Sequence, residues 1–344
     1  MANDPAETYV RNLLNVQRLQ NGVVADASAL IRDLIDEMVA QLAKIDPTAP
    51  KSKRWRDERV AKWLKLIRAD SREAFKVIHR EVRQQLAEIG VLQGEWAASY
   101  LRDLSGVGVA IGAGPTGINI MKSVIDTDFV QGGLLKDFWK EQGEKVTRRA
   151  AQQIRIGIAN GETIDDMIRR VRGRYVRRGV YEGGVMQIST RDAASLVRTA
   201  TSHVVGGAHF RCFEANKDIL DGYRYDATLD SRTTPICMAL DGQEFEFDDP
   251  NAKRPPQHWG CRSRIVPVVS GVDDSGYGQR ATETGPVKAG INYEQWLKQQ
   301  SKTKQVEILG KGRAELFRSG KVSLRDMVRS DGSTVRVEEL RAKG

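Results

Sequence analysis

The sequence predicts an α+β chain with long N-terminal helices, a mostly helical middle, a small antiparallel β-rich core around 223–269 and a short helical C-terminal tail. Three observations carry this. Apolar residues recur at three- and four-residue steps through the first quarter of the chain, the period of an amphipathic helix. Between Tyr223 and Val269 the period drops to two, with turn residues between short apolar runs. Beyond Gly290 the helical signals return, in short pieces.

A length of 344 residues suggests two or three domains. The chain is 40% hydrophobic and 29% charged, with a net charge of +9. That balance favours an acidic partner: nucleic acid, an acidic protein surface or a membrane surface. Membrane is the weakest of these, because no apolar run reaches about 18 residues. The polar start MANDPAETYVRN does not resemble a secretory signal. Three cysteines in so long a chain argue against a disulfide framework and for synthesis in the cytosol.

Leu30, Ile31, Leu34, Ile35, Met38 and Leu42 make one apolar stripe, so residues 1–45 read as helical. Pro47 and Pro50 interrupt the pattern. From about Asp57 to Ile89 a second helix aligns Trp63, Ile67, Ala74, Ile78, Val82, Leu86 and Ile89. Two such helices predict a hairpin or bundle over 1–104. Ser105–Gly117 is glycine-rich and apolar, but it lacks the Gly-Lys-Ser/Thr ending and the βαβ context of a phosphate loop. Residues 105–133 are therefore read as a Gly-rich linker, or as an arm that packs on a neighbouring subunit.

Residues 134–172 are helical again, with Ile154 and Ile158 on one face. Gly161 caps that helix, and Thr163 opens the next, whose first turn carries Asp165 and Asp166. From Arg148 to Arg178 there are nine arginines against three acids: Arg148, Arg149, Arg155, Arg169, Arg170, Arg172, Arg174, Arg177 and Arg178. Guanidinium grips phosphate or carboxylate bidentately, so this run is a candidate nucleic-acid or partner surface. A solvated helix face is the plainer alternative. A Gly-rich loop, Val180 to Gln187, leads into a helix from about Thr190 to Ala215.

Tyr225 to Pro267 is the most information-dense stretch. Tyr223–Leu229 and Glu244–Phe247 alternate as strands, and Asp241-Gly242 between them signals a hairpin turn. Arg264–Val269 reads as an edge strand, because Pro267 cannot donate to a ladder. Cys237, His258 and Cys261 are the plausible metal set, since His-x-x-Cys has zinc-like spacing. Cys212 or Asp241 could supply a fourth ligand. The alternative is that both cysteines are small buried apolar residues and His258 is hydrogen-bonded beneath the Pro255-Pro256 turn. Residues 271–290 read as a linker, and 291–344 as a helical tail with Gln305–Arg318 as one helix and Val335–Leu340 as a strand and a last turn. Trp296 and Phe317 are placed to dock that tail.

The order Arg198-Thr199, aromatic strand, Leu229-Asp230-Ser231-Arg232-Thr233, Cys237, Leu240-Asp241-Gly242, Pro255-Pro256, His258, Cys261-Arg262 resembles the phage Mu F-like minor head proteins, a head morphogenesis family. The resemblance covers roughly residues 130–270. It marks Arg198, Thr199, Asp230, Arg232, Thr233, Asp241, Gly242, Pro255, Pro256 and Arg262 as the structural motif. Arg198 is expected to be partly buried and paired with a carboxylate such as Asp230 or Asp241. Many relatives place a second cysteine two positions after the first in the Cys-Arg string, where this chain has Ser263.

The resemblance implies a structural minor capsid protein, not an enzyme. It would be made in the host bacterial cytoplasm and carried in the virion, in the head interior or at the head–tail vertex. Its partners would be the portal protein and other capsid subunits, with phage DNA as a further contact. Neither a membrane nor a small-molecule substrate is expected, and no cofactor beyond the candidate zinc. The alternative is a metal-dependent hydrolase or nuclease using Asp230, Asp241, His258 and Cys261. Against it, the stretch lacks the paired histidines of an HNH nuclease, and the chain holds no Gly-x-Ser-x-Gly or His-Glu-x-x-His string.

Overall fold

The computed structural model describes residues 5–45, 53–105, 111–112, 114–177, 180–271, 279–282, 285–288 and 290–343. The fold is α+β and mostly helical. The first half runs α1 (Pro5–Ile45), α2 (Lys53–Ser105), α3 (Ile118–Thr127), α4 (Leu135–Ala159), α5 (Ile164–Arg172), β1 (Arg174–Arg177), β2 (Val180–Glu182) and α6 (Gly184–Glu214). The central unit follows as β3 (Leu220–Asp226), α7 (Pro235–Leu240), β4 (Glu244–Phe245) and β5 (Arg264–Val269). The tail holds β6 (Gln279–Thr282), β7 (Gly285–Lys288), α8 (Tyr293–Lys298), α9 (Lys302–Leu309), α10 (Lys311–Arg318), a 3-10 turn (Arg325–Met327) and α11 (Val337–Lys343).

The chain folds into two compact units that do not follow contiguous segments. One holds Met1–Arg18, Glu88–Met121 and Thr201–Gly344; the other holds Leu19–Ala87 and Lys122–Ala200. The segment 1–104, expected as one bundle, is thus shared between them. In the second unit the stripe of α1 and the Trp63 face of α2 are buried, together with Trp139, Val146 and Ile154 of α4. Trp63 Nε1 donates to the Met38 carbonyl at 3.1 Å, so its one polar atom is satisfied in the core. Gly161 turns the chain with a φ of 66°, and Thr163 caps α5 in a capping box with Asp166.

In the first unit β3 lies between β4 and β5, antiparallel to both. Pro267 sits on edge strand β5 opposite Tyr223. Gly222 is required: a Cβ there would lie 2.2 Å from the Phe245 carbonyl oxygen of β4. The tail packs as one apolar cluster in which Trp296 and Phe317 share buried neighbours with Leu229 and Met238 of the central unit.

Several elements differ from expectation. Helix α2 runs past Ile89 to Ser105, because Gly90 and Gly94 let other segments pack closely on it. A Cβ at Gly90 would lie 2.6 Å from Met121 Sδ, and one at Gly94 2.4 Å from Thr116 Oγ1. The segment 105–133 contains α3, which buries Met121, Val124 and Ile125; positions 106–110 and 113 lie outside the described residues. The loop expected at 180–187 instead gives β2 and the first turn of α6. Asp241-Gly242 does not close a hairpin, since α7 lies between β3 and β4 and Asp241 ends that helix. Within 271–290 a hairpin, β6–β7, replaces the described part of the linker. Gly310, at φ 76°, splits Gln305–Arg318 into two helices. Val335 pairs with Met327 by one backbone bond rather than forming a strand.

A buried polar triad links α1, α2 and α6 within the first unit. Gln93 Oε1 accepts from Asn12 Nδ2 and from His209 Nε2, each at 3.0 Å. Burial, reinforced by Arg264, pushes His209 down to about 3. Unfolded, the imidazole titrates near 6.5. Between those values the unfolded chain binds a proton that the native chain refuses, so stability falls as pH drops, by about 1.4 kcal/mol per pH unit from this group. His209→Gln keeps a donor towards Gln93 and removes the titration. Urea midpoints measured from pH 6.5 down to about 5 are expected to fall less steeply in the variant than in the parent; equal slopes would refute the assignment.

Candidate functional site

The site forms where β3, α7 and the chain entering β5 converge. Pro235 starts α7, and the first turn buries Cys237. Cys261 is buried immediately before β5, and Tyr225 lies near the end of β3. Cys237 Sγ and Cys261 Sγ are 3.8 Å apart, and the Tyr225 hydroxyl is 3.2 Å from the first and 4.0 Å from the second. A ring nitrogen of half-buried His258 and the two sulfurs all lie within 4.8 Å of one another. His258 Nδ1 bonds the Trp259 carbonyl at 2.9 Å.

Burial and mutual hydrogen bonding make this cluster electrostatically uneven. The Cys237 thiol, and then His258, hold Cys261 below its ordinary range. The same bond, reinforced by burial, pushes Cys237 up. Burial works against a charged His258, but Cys261 outweighs it and raises the imidazole. Burial and the two sulfurs push the Tyr225 hydroxyl well above its ordinary range. The cluster therefore gathers two buried sulfurs, a half-buried imidazole and a phenol hydroxyl in one place.

Neither candidate fourth ligand joins the group. Cys212 lies on α6, donates to the Gly112 carbonyl at 3.6 Å, and is pushed up to about 12 by burial. Asp241 is committed elsewhere. Its Oδ1 accepts from Ala227 N and Arg280 Nη2, each at 2.6 Å; its Oδ2 accepts from Arg280 Nη1 at 2.9 Å and Tyr293 N at 2.6 Å. Arg280 also donates to the carbonyls of Ala227 and Ile291 and pairs with Asp226 at 2.8 Å. Burial opposes the Arg280 charge, but Asp226 and Asp241 outweigh it and raise its pKa.

Asp230 anchors a second tie. Arg262 grips it bidentately at 2.5 and 2.7 Å, while Arg232 N and Thr233 Oγ1 donate to Oδ1. Burial works against the Asp230 charge, yet Arg262 outweighs it and holds the carboxyl below the usual carboxylate range. The Arg198 expectation fails. Arg198 is exposed on α6; Asp230 is held by Arg262 and, at 3.7 Å, by Arg232, and Asp241 by Arg280. Thr199 is buried and bonds the Ser195 carbonyl. Arg280 was missed because no local pattern marks it. Gly242 takes a φ of 77°; Pro255 is buried and joined to Pro256 by a cis bond.

Most of the nine arginines are already paired. Arg149 pairs with Asp192, Arg169 with Asp166, Arg170 with Glu162, Arg172 with Asp36 and Arg174 with Glu182. Arg148, Arg155 and Arg177 are exposed and have no carboxylate partner among the described residues. Arg178 lies outside the described residues.

Residues 149–266 match the model of the family described as Phage Mu protein F like protein. The match spans roughly a third of the chain and takes in α7, Cys237, His258 and Cys261. Over that stretch the chain is similar to the phage Mu F-like proteins, a family that points to phage head morphogenesis. No curated protein and no solved structure matches the chain.

Removing one partner of a buried ion pair strands the other. Arg280→Met leaves Asp226 and Asp241 without their cation and is expected to cost about 3–5 kcal/mol in urea unfolding. An effect below about 1 kcal/mol would show that the tie is dispensable.

Proposed function

We propose that this chain is a structural minor capsid protein of a tailed phage or prophage that associates with the portal vertex during head assembly and contacts packaged DNA. The observation that carries this reading is the family match over residues 149–266. Under it the protein works by binding and is carried in the head interior or at the head–tail vertex. The excess of basic residues, +9 overall, suits an acidic partner. No helix among the described residues is long and apolar enough to cross a membrane.

The geometry favours this over a hydrolase. A metal hydrolase needs carboxylates free to bind metal or move a proton. Asp230 and Asp241 are instead bound to Arg262 and Arg280, and neither joins the group formed by Cys237, His258 and Cys261.

The test is a pull-down of the full chain against the portal protein encoded beside it, with duplex DNA as competitor. Saturable portal binding that persists at about 0.3 M salt, where purely ionic contacts are largely screened, is the expected result. Binding to DNA alone, lost with salt, would replace this reading with that of a genome-associated basic protein.

The acidic-partner contact is assigned to the unpaired face of α4. Arg148 and Arg155 are seven positions apart, two turns of one helix face. The double variant Arg148→Glu/Arg155→Glu is expected to weaken DNA binding and to reduce its salt slope by about two, whereas Arg169→Glu, already paired at the surface, changes it less. Equal effects would refute the assignment.

A further inference from the structure

We propose that Cys237, His258 and Cys261 bind one zinc ion, with the Ser263 position at the fourth corner, and that the metal clips the chain around His258 onto α7 and β3. This stands apart from the head-assembly reading and rests on the geometry of the three side chains.

The sulfurs are already spaced for a metal. Two thiolates on a tetrahedral zinc, each about 2.3 Å from it, are separated by about 3.8 Å. Cys237 Sγ and Cys261 Sγ are 3.8 Å apart. A disulfide needs about 2.05 Å, so this separation is far from one. A histidine nitrogen on the same ion would sit about 3.5 Å from each sulfur, given its own bond of about 2.0–2.1 Å. The ring nitrogen lies within 4.8 Å of both, so a small movement of a half-buried side chain closes the set.

The surroundings are those of a metal ligand. With Nδ1 donating to the Trp259 carbonyl, the lone pair is on Nε2. A ligating histidine usually donates its other ring nitrogen to a carbonyl or carboxylate in this way, which fixes its orientation. The Tyr225 hydroxyl, 3.2 Å from Cys237 Sγ, is placed to donate to a metal-bound thiolate there. Two thiolates and an imidazole form a donor set suited to zinc, whereas magnesium and calcium prefer oxygen.

Ser263 completes the argument. Cys261 and Ser263 are both buried with Arg262 between them more exposed, so in extended chain they face the same side. The Ser263 side chain lies close enough to those of Tyr225 and Cys237 to favour the charged form of each. A serine at that corner leaves the fourth place to its hydroxyl or to water, and a cysteine would fill it with a thiolate.

The experiment uses the full chain produced in zinc-containing medium without added chelator. Elemental analysis is expected to find about one zinc per chain, as for a single closed site. Cys237→Ser and Cys261→Ser, checked for folding by circular dichroism, should lose it. Cobalt replacing zinc should give thiolate charge-transfer bands and the intense visible bands of tetrahedral coordination. Ser263→Cys should slow zinc loss to a chelator by roughly tenfold or more. The proposal is overturned if the parent chain holds no zinc and gives no cobalt bands on reconstitution. It is equally overturned if Cys237 and Cys261 are found joined as a disulfide, or if the zinc content is unchanged when both cysteines are replaced. Because Ser263→Cys leaves all three ligands in place, its chelator kinetics decide the case even where the cysteine variants fail to fold.

Discussion

Beyond their shared apolar cluster, the central unit and the tail are tied by one buried cation on two carboxylates. Arg280 is almost fully enclosed, and it reaches the Asp241 carboxylate, Asp226 and the carbonyls of Ala227 and Ile291. Those groups come from three places in the fold: Asp226 and Ala227 at the end of β3, Asp241 at the end of α7, and Ile291 on the approach to α8. Burying a charge is tolerable when its whole donor set is satisfied and costs several kcal/mol when it is not. The tie is therefore all-or-none. The β6 strand supplies the residue without which the fully buried Asp241 carboxylate would lose its cation, and the partly buried Asp226 would keep only Tyr9 as a side-chain hydrogen-bond partner among the described residues.

Helix α7 connects that tie to the cysteine cluster. It is six residues long, and it carries Cys237 in its first turn and Asp241 at its end. The Asp241 amide bonds the Cys237 carbonyl, and Tyr225 exchanges backbone bonds with Gly242 and Gln243 just beyond. The position of Cys237 is thus set from the Arg280 side, while Cys261 is set by its place ahead of β5. Two independently anchored sulfurs at 3.8 Å form a preorganised pair, and preorganisation is what lets weak individual ligands bind an ion. The carboxylates, by contrast, are used up in holding the frame. That division of labour separates the carboxylates of Asp230 and Asp241 from the group formed by Cys237, His258 and Cys261.

What was legible in the sequence follows from how far each signal reaches. The Thr163 cap depends on Asp166, three residues on, and was readable. The helical stripes of α1 and α2 and the alternation of β3 and β5 are periodic over one element and were readable too. So was the meeting of Cys237, His258 and Cys261, because a His-x-x-Cys pair facing a strand-and-turn unit leaves few ways to fold. The hairpin β6–β7 was not readable. Its residues look like linker, and Arg280 gains its role only from partners dozens of positions away. The continuation of α2 through Gly90 and Gly94 was hidden for the opposite reason: glycine lowers local helix propensity, and only the close approach of Met121 and Thr116 repays it. Arg198 was misassigned because sequence order cannot say which arginine finds a carboxylate.

The same limit governs what the basic charge means. Net charge counts every arginine alike, but a guanidinium already held by a carboxylate contributes little to an approaching phosphate. In the Arg148–Arg178 run the carboxylates come from α1, α5 and α6 and from Glu162 and Glu182, so most of the run stitches one compact unit together. An exposed ion pair contributes at most about 1 kcal/mol, so these pairs orient elements more than they stabilise them. The charge left for a partner lies on arginines without an ion pair among the described residues, Arg148 and Arg155 on α4 and Arg177. A run that reads as one long basic surface is, in the folded chain, a set of internal ties with a short stripe left over.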